Sequence, residues 1–501
     1  VIPLFSANVT ADSRTEKFAA TGRERYNRRS MKNTQRFGLS IFALCALFAA
    51  APAAAQPGSV LVEQKVSEEE GDFEGSLSAL DWFGWAVAPI GDVDGDDVPD
   101  VAVGAPLDDD GDGDDVGAVW ILFLNADGTV RDHQKISDTE GDFKGTIDAG
   151  DNFGRSVAAI GDIDDNGFTD LVVGAPFDDD GVGDNRGAVW ILFMKEDGKV
   201  DDYQKISESS GNFDGTLTVD DGFGAAVAAI GDIDKDGFDD IAVGAPFDDD
   251  GPGFDVGAVW ILFMKDEGKV RDHQKISAEK GRFDGNLEEG DWFGSSVVSP
   301  GDLNGDGTND IVVGSPAQDD GDGFDSGAVW VIFLDEDGKS LGHQKISDEK
   351  GDLLENLKAG DFFGFSIGNI GDFNRDGIGD IVVGAPLDND GSGDNTGAVY
   401  LLMLDSTGFV IDEQKISDEE GNFLGEIDEG DSFGNGVSGI GDLDGDGVTE
   451  ICVGAPFDDD GDGSQSGAVW NLFVEGAPPI CGDADESGTV TSTDALIALS
   501  A

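Results

Sequence analysis

The chain has 501 residues, 39% of them hydrophobic, ample for a large core or several domains. Its 105 acidic residues outweigh 30 Lys and Arg, leaving a formal net charge of -75. That balance excludes general affinity for nucleic acid or anionic lipid, because phosphate binding needs an excess of base; divalent cations are the natural partners, and the remaining charge suits a solvated surface in saline surroundings.

Residues 1–30 carry Arg23, Arg25, Arg28 and Arg29 in an otherwise acidic chain and are expected to be a disordered upstream stretch ahead of the true start. Met31 opens a better beginning. Lys32 and Arg36 form a charged n-region, Phe37 to Ala50 an apolar h-region and Ala53-Ala54-Ala55 a small-residue cleavage site. Residues 31–55 therefore predict a bacterial-type secretory signal, too short in its apolar run to span a membrane. The expected product is secreted or held at the cell surface, with no membrane insertion after cleavage. Cys45 leaves with the signal, and Cys452 and Cys481 remain. Cys452 occupies a strand slot filled elsewhere by Ala102, Val172, Ala242, Val312 and Val382, which predicts a small buried hydrophobe. A disulfide to Cys481 is possible in an oxidising compartment but not implied.

From Gln64 to Val474 the sequence is six copies of one unit with a 70-residue period, within a domain read as 60–476. The unit is organised around an acidic loop that starts after Gly91, Gly161, Gly231, Gly301, Gly371 and Gly441. In the second copy Asp162, Asp164, Asn166 and Asp170 stand at loop positions 1, 3, 5 and 9, with Gly167 at position 6 for a sharp turn. Alternate residues of a tightly curled loop point inward, and Ca²⁺ takes oxygen ligands at roughly 2.3 to 2.6 Å, so the pattern predicts a calcium loop. Position 7, here Phe168, would add its backbone carbonyl, as in an EF-hand. An ordinary Asp-Gly turn is the plainer reading, and six recurrences with the oxygen-bearing slots kept weigh against it.

The flanks are short apolar segments without helical period, so the loop joins two strands. Within the second copy four strands are predicted, at 154–162, 170–175, 187–194 and 199–207. The last two are joined by a hairpin at Glu196-Asp197-Gly198. The apolar run from Ala188 to Phe193 does not alternate with polar residues, as expected of a strand covered on both faces. Four antiparallel strands per repeat predict an all-β fold, a six-bladed β-propeller of four-stranded blades. The chain enters at Val60 to Ser67, which matches a fourth strand, and leaves the sixth copy after its third, Gly467 to Phe473. Pairing the two would close the last blade with the N-terminal strand and hide both sheet edges.

Phe153-Gly154 and Gly174-Ala175-Pro176 bracket the acidic loop, and the Phe-Gly pair recurs as Phe83-Gly84, Phe223-Gly224, Phe293-Gly294, Phe363-Gly364 and Phe433-Gly434. The unit resembles the FG-GAP repeat of the integrin alpha-chain propeller and its bacterial relatives. What the resemblance implies is Ca²⁺ held by side chains at positions 1, 3, 5 and 9. Carried over, these are Asp92, Asp94, Asp96 and Asp100; Asp162, Asp164, Asn166 and Asp170; Asp232, Asp234, Asp236 and Asp240; Asp302, Asn304, Asp306 and Asp310; Asp372, Asn374, Asp376 and Asp380; Asp442, Asp444, Asp446 and Glu450. Val98, Phe168, Phe238, Thr308, Ile378 and Val448 hold position 7. Departures from the pattern are six repeats rather than seven blades, Asp97 for the turn glycine, Glu450 for the last Asp and Ser315 for one GAP alanine.

A second acidic cluster follows each GAP, with Asp110, Asp180, Asp250, Asp320, Asp390 and Asp460 in one slot; a solvated turn is the preferred reading and a further cation site the alternative. His133, His273 and His343 share a slot with Glu63, Tyr203 and Glu413, which suits a strand surface rather than a catalytic base. The slot of Trp120, Trp190, Trp260, Trp330, Tyr400 and Trp470 suits blade packing. Trp82, Trp85 and Trp292 break the repeat, and a binding surface is expected there first.

In the last segment, 477–501, Asp483, Asp485, Ser487 and Asp494 fall at positions 1, 3, 5 and 12 of a different calcium loop, with Thr489 at position 7. It looks like the first half of a dockerin, which implies a cohesin-like partner. No nucleophile-base pair, phosphate-binding glycine loop or transition-metal cluster stands out. The expected function is a secreted calcium-binding module for an extracellular protein or glycan ligand; the alternative is a polysaccharide-active enzyme with its site at the propeller mouth.

Overall fold

The structure is a computed structural model that describes residues 56–109, 115–179, 185–320, 323–389, 395–459 and 465–477. The signal (31–55), the stretch before it, Cys481 and the dockerin-like ligands Asp483, Asp485, Ser487, Thr489 and Asp494 lie outside the described residues.

Six four-stranded antiparallel sheets make up the described chain, with a single 3-10 turn at Asp266–Gly268. The second blade is typical, with strands Ser156–Ala159, Leu171–Ala175, Ala188–Met194 and Val200–Ile206 paired in sequence order. Its first strand is shorter than the sequence predicts, because the chain turns into the acidic loop after Ala159. The third strand is buried along its whole length, whereas the fourth is buried only at its ends, Val200 and Ile206. That difference makes the third strand central and the fourth the outer edge.

The sixth blade closes as expected. Val60–Val66 pairs antiparallel with Ala468–Val474, with Val66 opposite Val469 and Lys65 opposite Trp470. The first strands of successive blades touch one another in an unbroken cycle, so they line the axis and the ring is a six-bladed propeller.

The core lies between blades rather than within them. One cluster joins Val119 and Ile121 of the first blade to Phe143, Phe153, Trp190 and Leu192 of the second, and equivalent clusters fill the other five gaps. Phe143 stacks on Phe153 and meets Trp190 edge-on, at 5.5 and 5.4 Å between ring centres. The Trp slot is thus packing, as its recurrence suggests, and Cys452 is buried in its strand with its thiol pushed up to about 12 by desolvation.

Neighbouring blades also meet backbone to backbone. A Cβ added at the GAP glycine Gly174 would lie 1.9 Å from the carbonyl oxygen of Gly224, and one at Gly454 would lie 1.8 Å from that of Gly84. The FG and GAP glycines are one contact seen from two blades, and the last of these contacts closes the ring.

Candidate metal centre

The acidic loops all join the first strand of a blade to its second, at one end of the ring. Each folds around its own carboxylates. In the first, Asp92 accepts the amides of Gly95, Asp96 and Asp97 at 2.7, 3.0 and 2.8 Å, and Asp96 accepts that of Val98 at 2.9 Å. Position 6 is left-handed throughout, from Gly447 at φ 86° to Gly237 at φ 100°, and Asp97 holds φ 70° without glycine's freedom. The position 7 residues Phe168, Phe238, Thr308, Ile378 and Val448 likewise donate their amides to the side chain at position 5.

The position 9 residue has a second task. Asp100, buried, accepts the amide of Val93 in the loop at 2.9 Å and that of Leu124 at the end of the third strand at 3.0 Å. Asp170, Asp240, Asp310 and Asp380 repeat both bonds. Glu450 reaches the amide of Leu443 at 2.6 Å. Burial pushes these carboxyls up, Asp100 and Asp170 to about 6 and Asp240, Asp310, Asp380 and Glu450 to about 7. Backbone hydrogen bonds oppose the rise and neighbouring loop carboxylates add to it.

Four loops gather one oxygen from each of three or more carboxylates within 4.8 Å: Asp92, Asp94 and Asp96; Asp162, Asp164 and Asp170; Asp232, Asp234 and Asp240; Asp442, Asp444, Asp446 and Glu450. Oxygens about 2.4 Å from one ion lie no more than about 4.8 Å apart, so each cluster is compact enough to share a cation. Asp94 Oδ1 is buried without a hydrogen-bond partner, as a metal-facing oxygen would be. The fullest cluster includes Glu450, the residue that departs from the pattern. In the fourth and fifth loops Asn304 and Asn374 take position 3, and Asp302 and Asp372 accept the same loop amides as their counterparts.

Two features were not foreseen. Arg131, on the outer strand of the first blade, pairs with Asp94 and, at 2.6 Å, with Asp96; Arg271 pairs with Asp234 and, at 3.0 Å, with Asp236. The same slot holds Leu341 and Ile411 in the fourth and fifth blades, so the arginines offer a permanent cation to two loops only.

At the other end of the ring, each recurrent lysine of the outer strand meets a buried post-GAP carboxylate: Lys65 with Asp458, Lys135 with Asp108, Lys205 with Asp178, Lys275 with Asp248 and Lys415 with Asp388, at 2.5 to 3.0 Å. The lysines lie over the Trp or Tyr slot at 5.2 to 5.6 Å. The fourth blade departs, with Gln318 in the Asp slot and Lys345 moved to Asp320 at 3.1 Å, beside a cavity of about 640 Å³. The Gln-Lys pair that recurs six times was the available signal for this layer. Of the other post-GAP slot, Asp250 and Asp320 are described; they accept the hydroxyls of Ser277 and Ser347 and pair with Lys275 and Lys345. The histidines lie on the outer strands, His273 and His343 each 3.3 Å from an exposed Asp.

The FG-GAP repeat family matches the chain at 83–122, 153–192, 223–262, 293–332 and 363–402, so five of the six blades carry the repeat. Among curated proteins the chain is similar to Integrin alpha-PS5 of Drosophila melanogaster, 35% identical over 167 residues, 33% of this chain and 15% of that protein. It is also similar to Integrin alpha-6 of Gallus gallus, 37% identical over 164 residues (33% and 13%), and to Integrin alpha-2 of Mus musculus, 32% identical over 240 (47% and 18%). The chain thus spans less than a fifth of the length of these relatives.

Proposed function

Taking five FG-GAP repeats in a closed six-bladed ring as the premise, we propose that this chain is a secreted, calcium-stabilised binding or adhesion module for an extracellular protein or glycan. The observation that carries the reading is repetition. The carboxylate clusters of four blades sit at the same strand connection and do not converge on one cleft, which suits structural ions and not a single reacting centre.

Ligands are assigned to the side chains at positions 1, 3, 5 and 9, with the position 7 carbonyl completing the shell. Bound Ca²⁺ supplies charge neutralisation to a loop that otherwise concentrates repelling carboxylates. The protein's own part is geometric, because position 9 ties the loop to the third strand. Similarity to integrin alpha chains supports the adhesive role.

Melting the purified full chain in calcium and in excess chelator tests the metal assignment. The expected result is a large cooperative fall in Tm on chelation, and an unchanged Tm overturns it. A matrix-protein and glycan array, run beside a polysaccharide turnover screen, tests the role. Saturable binding without turnover supports a binding module; turnover without a saturable partner supports the enzyme instead.

A further inference from the structure

The end of the ring opposite the acidic loops carries side chains that the repeat does not explain. The residue after each Phe-Gly pair stands one or two positions before the first strand, the strand that lines the axis, and it is Trp85, Arg155, Ala225, Ser295, Phe365 and Asn435 in turn. Trp85 of the first blade and Phe365 of the fifth come within 6.0 Å although the sixth blade separates them, so their rings reach across the mouth. The Arg155 guanidinium lies 3.9 Å from the centre of the Trp85 ring, and Trp82 stacks on Trp85 at 5.0 Å and 18°.

Arg155 has no carboxylate partner among the described residues, in a chain with 105 acidic side chains. Burial alone shifts it, down to about 9, with no neighbouring charge contributing. A half-buried, unpaired cation costs stability, and five blades do without one. Its N–H edge offers the planar fork that grips a carboxylate with two bonds.

The slot before each Phe-Gly pair is left-handed in all six blades, and what sets three of them apart is bulk. Trp82, Trp292 and Phe362 hold φ of 58°, 57° and 58° where Asn152, Ser432 and Gly222 hold 56°, 58° and 68°. Bulky side chains rarely adopt this conformation, and retained strain clusters at sites of function. Trp292 and Phe362 lie 5.9 Å apart, which extends the aromatic surface around the mouth.

We propose that the propeller mouth binds a carboxylate carried at the tip of a protein segment, held by Arg155 against the Trp82, Trp85 and Phe365 rings. Two arguments favour protein over an acidic polysaccharide. Tryptophan and arginine are the residues that dominate protein interfaces. The same end of the ring exposes Asp109, Asp179, Asp249 and Asp319, which repel a polyanion but attract a segment whose one carboxylate is flanked by basic residues.

This inference rests on the binding-module reading, and its test separates the two. Fluorescence titration of the full chain, with calcium at physiological salt, uses three probes: a lysine-rich peptide with one central Asp, the same peptide with Asn, and oligogalacturonate. The Asp peptide is expected to bind about ten-fold or more tighter than the Asn peptide, an advantage lost in Arg155→Ala and partly kept in Arg155→Lys. Equal binding of both peptides to wild type and Arg155→Ala overturns the site while leaving a binding module in place. Tighter, Arg155-dependent binding of oligogalacturonate overturns the assignment to protein. Unchanged melting of both variants shows that a lost preference reflects recognition and not folding; should Arg155→Ala melt lower, Arg155→Lys carries the comparison.

Discussion

At the scale of single residues, the six loops are a set of internal controls. Asp97 adopts φ 70° where five loops have glycine, and a non-glycine residue in that region costs about 1 kcal/mol. Asp97→Gly should therefore raise stability by up to about 1 kcal/mol, read by urea unfolding in chelator so that metal affinity does not enter. Arg131 poses the opposite question, because it sits on the carboxylates that a cation would use. Replacing it by leucine, the residue that Leu341 puts in the same slot, should tighten calcium binding at the first loop by roughly ten-fold, or about 1.4 kcal/mol. Calorimetric titration of Arg131→Leu against wild type checks this, and weaker binding would instead make the arginine an orienting group.

At the scale of strands and blades, the recurrent glycines and lysines do different work. A Cβ at Gly384 would lie 1.9 Å from the carbonyl oxygen of Gly434 in the next blade, and backbone cannot yield as a side chain does. Gly384→Ala should cost about 3 kcal/mol, whereas Gly445→Ala, with nothing near its Cβ, should cost only the left-handed penalty of about 1 kcal/mol. Chemical denaturation of the two variants tests the contrast. Lys415 and Asp388 form a nearly sealed pair at 3.0 Å, joined by the Tyr400 hydroxyl at 2.9 Å. Lys415→Met should cost about 3 to 5 kcal/mol by leaving a buried charge uncompensated, with Lys415→Met/Asp388→Leu recovering much of it. The propeller, its blade count and its closure by Val60–Val66 were legible because a 70-residue period and a surplus strand are properties of the sequence itself. The acidic loops were legible for the same reason. Arg131 and Arg155 were not, because each departs from the repeat and takes its meaning from a neighbour that only folding supplies.

For the molecule as a whole, charge and burial act in the same direction with pH. Besides the loops, each blade buries a carboxyl just before its Phe-Gly pair: Asp81, Asp151 and Asp431 are pushed to about 7, and Asp221, Asp291 and Asp361 to about 6. Desolvation is the main cause in all six, against an ordinary value of 3.8. Between about pH 4 and pH 7 the folded ring therefore holds protons that the unfolded chain has released. A group bound more tightly to its proton in the folded state gives stability that is lost as pH rises through the folded value. The growing negative charge, from a pI near 4.1 to -75 at pH 7, adds self-repulsion in the same window. In chelator, Tm should thus fall steadily from pH 4.5 to pH 7.5. Calcium bound as proposed would act in reverse, because its ligands must be ionised, so its stabilisation would grow with pH. Melting curves at matched ionic strength should show the gap between calcium and chelator widening towards neutral pH. A gap of constant width would mean that the ion binds somewhere other than these carboxylates.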